Sequence, residues 1–233
     1  MAFSSFNAYG TSGKDFGQTN KPVWLGMVAP HTVGGVLASA FIKKGALYAA
    51  GTPVNLNEGV ITPLVAFKVV SLSAGDPNDT VIVYPASMGD AEIVPAANDV
   101  LMKLGASFDA TAKAAKVIAV TPLTGDDEGK YSFTVAHSAT FDSLSEGDYL
   151  VYSASTSAGS GKSMKAQPNG YLYNDIYLAD LENANATGAV VDFHGAGLLI
   201  DFTPAAEFAD AMKAAVPTVI QTRFPDAAFV TID

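Results

Sequence analysis

The chain has 233 residues, 49% hydrophobic and 15% charged, a balance that excludes a disordered protein and allows a core without covalent staples. A net charge of −10, with Arg223 the lone arginine among 13 basic residues, excludes nucleic acid and anionic membranes as partners by simple repulsion. Cysteine is absent, which removes disulfides, thiolate metal sites and cysteine nucleophiles together.

Residues 1–22 are rich in Ser, Gly and Asn, with no hydrophobic period, and read as an extended N-terminal arm. They lack the charged and apolar regions of a signal peptide. Phe3, Phe6, Tyr9 and Phe16 are unusual in a plain linker. The arm is either a disordered tail or a strap that docks its aromatics on a neighbouring subunit. Trp24 follows as an anchor where arm meets body, with an interface role as its other reading. The small basic pairs Lys43–Lys44 and Lys113–Lys116 are the only clusters of positive charge. No apolar run reaches the length of a membrane span.

From Val23 the chain turns β-rich. Residues 45–60 read as a short strand, a Gly-Thr-Pro step, a second strand and a tight Asn57-Glu58-Gly59 turn. Ile61–Ser71 and Thr80–Tyr84 read as strands around the polar cluster 75–79. Lys116–Thr121 and Lys130–His137 flank a polar tip at Thr124–Gly129. Tyr131, Phe133 and Val135 alternate with Ser132 and Thr134, the pattern of a half-buried strand. Leu144–Tyr152 is a turn feeding a further strand.

Residues 189–202 predict a hairpin with Gly195-Ala196 as a two-residue loop. In that register Asp192 faces Leu199 and Val190 faces Asp201, leaving one apolar face and one carrying Asp192, His194 and Asp201. Thr203-Pro204 is a natural helix start, and Phe208, Ala211, Met212, Ala215 and Val216 form one stripe. A helix is therefore expected over 204–216, ended by Pro217. The expected fold is mainly β, a β-rich α+β arrangement of about ten antiparallel strands with this one C-terminal amphipathic helix. The expected organisation is an arm at 1–22, a β-rich lobe at 23–165 and an α+β lobe at 166–233.

Motifs for chemistry are sparse. Ser157–Ser163 ends like a phosphate-binding loop, but Thr156 stands where the first glycine belongs and Pro168 leaves no room for the helix that must follow. Asp192, His194 and Asp201 are too widely spread on one hairpin for a compact metal site. Asp126, Asp127 and Glu128 lack the spacing of a calcium loop. His31 and His137 have no partner nearby in sequence, and no nucleophile elbow is present. No catalytic, cofactor-binding or metal-binding residue is expected.

Lys43-Lys44-Gly45-Ala46-Leu47-Tyr48, followed by Ala50-Gly51-Thr52-Pro53-Val54, resembles the opening ribbon of tailed-bacteriophage head decoration and head-fibre proteins. Ser143–Leu150 is similar to the Gly-Asp turn that leads into strands of virion surface domains. Gly188–Gly195, with a helix and closing strand after it, is similar to the C-terminal part of decoration proteins. The resemblance covers 40–70 and 185–233 in outline, and leaves 86–165 as an insertion or a second β lobe.

It implies a non-enzymatic virion structural protein, a homo-oligomer on the outer capsid surface. It would decorate or stabilise the head, or anchor a head fibre, with the major capsid protein as partner. No catalytic residues come with these families. Contacts are expected at Phe3, Phe6, Tyr9, Phe16 and Trp24. The rival readings are a bacterial cell-surface adhesion β module and a small metal-dependent hydrolase centred on Asp192 and His194.

Overall fold

The computed structural model describes residues 24–26, 32–48, 52–86, 93–105, 108, 110–173, 175–178, 186–192, 199–201 and 228–230. The fold is mainly β, as the strand pattern predicts, and its strands close into two barrels. The aromatic arm and the helix expected over 204–216 lie outside the described residues.

The larger barrel comes from one uninterrupted stretch. Strands β6 (Ala66–Ser73), β7 (Asn78–Ala86), β8 (Val100–Lys103), β9 (Ala112–Pro122), β10 (Tyr131–Ala136) and β11 (Tyr149–Tyr152) pair in a ring, every neighbour antiparallel. Alternation explains most of it. Val81 and Val83 on β7, and Phe133 and Val135 on β10, point inward and are buried, while Ile82 and Thr134 between them are partly open. Tyr131 continues the inward row and is half-buried. Strands β8 and β11 are buried on both faces, at Val100-Leu101-Met102 and Tyr149-Leu150-Val151, so they read as continuous apolar runs. Register shifts at Val69/Ser71 and Thr134/Val135 add the local bend that closure needs.

The expected strand Ile61–Ser71 is in fact two. Strand β5 (Val60–Pro63) belongs to the smaller barrel and β6 to the larger, with Leu64 and Val65 crossing between them. Pro63 has no N–H to give a continuing ladder, so pairing stops there.

The smaller barrel is assembled from distant pieces. Strands β2 (Thr32–Leu37), β4 (Pro53–Asn57), β5, β13 (Gly170–Leu172) and β15 (Thr187–Asp192) close in the order β13-β15-β2-β5-β4. Strands β2 and β5 run parallel, and β4 meets β13 through Val54↔Gly170 and Pro53↔Tyr171. Thus this barrel draws strands from both sides of residue 165. Glu58 and Gly59 both take positive φ (50° and 78°), as the tight β4–β5 turn requires.

Much of the described part of the stretch at 45–60 is structural core. Leu47 and Tyr48 form β3 (Leu47–Tyr48), paired with β14 (Ile176–Tyr177), and Ala46, Leu47, Tyr48, Thr52 and Val54 are all buried. Asn169 clamps the returning chain. Its Oδ1 accepts the Leu56 N–H at 2.8 Å, and its Nδ2 donates to the Leu56 carbonyl at 2.9 Å, imitating a strand partner. Leu37, Val54, Ile61 and Val190 from one barrel and Phe67, Val83 and Phe133 from the other belong to a single hydrophobic cluster.

The strand pairing expected over 189–202 is absent among the described residues, and residues 193–198 lie outside them. Val190 already pairs with Leu172 on one side and Val33 on the other, and Val191 with Tyr171 and Thr32. Both edges of β15 are therefore occupied. The strand β16 (Leu199–Asp201) instead lies between β1 (Trp24–Gly26) and β17 (Ala228–Val230), antiparallel to the first and parallel to the second.

Candidate functional site

The smaller barrel presents an uncharged trough of about 590 Å³ on its outer face, lined by Gly34, Gly35, Val36, Gly59, Thr187, Gly188 and Ala189. Its flatness follows from glycine. On β2, Gly34 faces outward with nothing within 4 Å of where a Cβ would stand. Gly35 faces inward, where a Cβ would meet the side chains of Ile61 and Leu56 at 2.8 Å. On β15, Gly188 lies directly across from Gly35, and a Cβ there would meet Ile176 at 2.6 Å. The paired inward glycines let Ile61 and Ile176 fill a narrow interior. Val36 and Val60, aligned on the parallel pair, stand beside the trough and remain 48% and 44% exposed.

Two glycines inside a run of β-branched residues, Thr32-Val33-Gly34-Gly35-Val36, were the sequence signal for this face. It passes unnoticed when charged and aromatic residues alone are taken as markers of function.

A charged pair sits at the rim of the larger barrel. Nδ1 of His137 lies 2.7 Å from Oδ1 of Asp79; the Asp79 side chain is 3% exposed and that of His137 55%. Asp79 Oδ1 also accepts the Gly75 N–H at 3.0 Å, and the His137 N–H donates to the Pro77 carbonyl at 2.9 Å. The hydrogen bond from His137 holds the Asp79 carboxyl below its usual range, outweighing burial at this rim position. The same bond, with the charge of Asp79, raises the imidazole above its ordinary value, and Asp76 adds to it. The two residues are 58 positions apart, joined because β7 and β10 pair Asp79 with Val135. This pair ties the β6–β7 turn to the end of β10. The Thr140 side chain also lowers the Asp79 carboxyl, and the geometry of the pair is that of a clasp.

The expected contact residues fare differently. Phe3, Phe6, Tyr9 and Phe16 lie outside the described residues. Trp24 opens β1, its backbone paired with Ile200. Tyr171 is fully buried in the core and Tyr173 is exposed. Ser157–Ser163, the phosphate-loop look-alike, runs into the short strand β12 (Gly159–Lys162) on the edge of β9, so no helix N-terminus is present there to hold phosphate. Asp126 and Asp127 sit at an exposed hairpin tip, where Asp127 pairs with Lys130 at 2.6 Å. Asp192 and Asp201 stand in different sheets, and His194 lies outside the described residues. Among the described residues no three His, Asp or Glu gather as a metal would need, and no helix is long and apolar enough to cross a membrane.

Comparison with known proteins finds no matching family, no matching curated protein and no matching solved structure.

Proposed function

We propose that this chain is a non-enzymatic virion structural protein that decorates or stabilises the outer surface of a tailed-phage capsid, or anchors a fibre there. The observation that carries this is the uncharged trough with its flanking Val36 and Val60. On a chain of net charge −10, an apolar, glycine-floored face is where a protein partner gains most from excluding water. The two barrels are closed and offer faces, while open edges lie in β12 and in the small sheets β1-β16-β17 and β14-β3. The major capsid protein is the proposed partner, and repetition of the shell brings many copies of the chain together as an oligomer. The resemblance of residues 40–70 and 185–233 to decoration proteins points the same way.

The test is quantitative mass spectrometry on density-purified particles from cells expressing the chain. A fixed, high copy ratio to the shell protein is expected, falling sharply when Val36→Asp and Val60→Asp are combined. A chain that stays in the soluble fraction, with no particle signal, overturns the proposal. Removing residues 1–22 in parallel separates a contribution of the aromatic arm from that of the barrel face.

A further inference from the structure

A second concave feature lies where the two barrels join, a cavity of about 230 Å³. Its apolar wall includes Phe41, Pro63 and Met164, and its polar side chains are Thr62, Asp99, Tyr152 and Lys165. These come from three places: the end of the smaller barrel, the larger barrel, and the returning segment after β12. We propose that this cavity is a binding site for a single neutral, hydroxyl-rich ring, of the chemistry of a sugar residue. The inference is independent of the virion proposal.

Size is the first argument. Sites for drug-sized compounds enclose roughly 300–1,000 Å³. This cavity is smaller, yet it holds several waters at about 30 Å³ each, so one ring is the natural occupant.

Polarity is the second. Asp99 Oδ2 accepts the Ala96 N–H at 2.7 Å, which fixes the carboxylate and leaves further acceptor positions open. Tyr152 is held edge-on by Phe67, ring centroids 5.6 Å apart, with Lys165 Nζ 5.9 Å from its centroid over the face. Burial, and then the charge of Asp99, push the Tyr152 hydroxyl well above the ordinary tyrosine range, so it stays protonated. Its contact to the Val94 carbonyl is 3.4 Å, at the weak end of hydrogen bonding, which makes Asp99 the better acceptor for its proton.

One carboxylate and one ammonium at the same cavity repel, respectively, an anion and a cation. A purely apolar ring would strip water from Asp99 without replacing it. A hydroxyl both donates and accepts, so hydroxyls at separate positions around one ring can meet Asp99 and Lys165 while the ring's C–H faces lie on Phe41, Pro63 and Met164. A free α-amino acid carries the opposite charges on one carbon. Here Asp99 stands at the hydroxyl end of Tyr152 and Lys165 over its face, set apart by the ring itself.

Saturation-transfer NMR of the full chain against a panel of methyl glycosides tests this. At least one glycoside should bind with millimolar affinity. Asp99→Asn, which still accepts from Ala96, should weaken it by about tenfold or more. Ala40→Trp, placed at an exposed residue of the cavity wall, should block it without touching the core. Absence of any glycoside signal on the wild-type chain overturns the proposal. So does a signal unchanged in both variants, or displacement of the glycoside by free leucine at lower concentration.

Discussion

The two barrels share one core but are made in opposite ways. The larger is continuous in sequence, entirely antiparallel and filled by valine, phenylalanine and leucine side chains. The smaller is discontinuous, includes a parallel pair, and closes only because Gly35 and Gly188 leave room for Ile61 and Ile176. The lesson concerns dependence. Strands β2, β4 and β5 precede the larger barrel in the chain, and β13 and β15 follow it. The smaller barrel therefore closes more readily once the larger one has brought its ends together, because an unfolded insertion of that length adds a loop-closure entropy of about a few kcal/mol.

The largest effect is expected from Phe133→Ala, at the centre of the larger barrel, where the side chain is fully buried. The cavity should cost about 3–5 kcal/mol. Hydrogen exchange should then show lost protection in β15 and β5 as well as in β7 and β10. Full protection of β15 in this variant would mean that the smaller barrel stands alone. Gly188→Val comes next. Crowding against Ile176 should cost about 1–3 kcal/mol, and the loss of protection should stay within the smaller barrel. If β10 loosened equally, the dependence would run both ways.

The smallest effect sharpens the contrast within the larger barrel, between its core and its rim. His137 has its pKa raised above 6.5 in the folded chain, so its contribution is complete below 6.5 and fades as pH rises through the raised value. Asp79 has its pKa lowered below 3.8, so its contribution is complete above 3.8 and is lost only as pH falls through the lowered value. The clasp is thus strongest between those limits. The melting temperature of wild type minus that of His137→Ala should be larger at about pH 5.5, where the imidazole carries its proton, than at alkaline pH above the raised value. A difference independent of pH would show that His137 acts by packing alone. Phe133→Ala should show no such pH dependence.

What was legible in the sequence follows the same division. The β9–β10 hairpin, the alternation of Tyr131, Phe133 and Val135, and the turn at Glu58-Gly59 are local, and each is written in a few adjacent residues. The β6–β7 pair was legible too, though β7 begins at Asn78, inside the expected loop. Failures came where partners are distant. The hairpin at 189–202 has good turn chemistry, but Leu172 and Val33 occupy the edges it needed, and neither is visible from residues 189–202. Pro63 gave a local hint that Ile61–Ser71 would divide, and the apolar run around it concealed the hint. The trough, the clasp and the junction cavity are all assembled from residues far apart in the chain, so no motif announces them.

The discontinuity of the smaller barrel also has a timetable. A ribosome adding about 5–20 residues per second delivers β5, and then needs several seconds before β13 emerges. Through that interval Leu37, Val54 and Ile61 are synthesised and have no barrel to enter. The larger barrel, complete in one run, can fold while they wait. It then offers the nascent half-barrel a finished apolar surface, since the two sets of side chains end in the same cluster. The order of synthesis thus turns the inserted barrel into the chaperone of the strands that came before it.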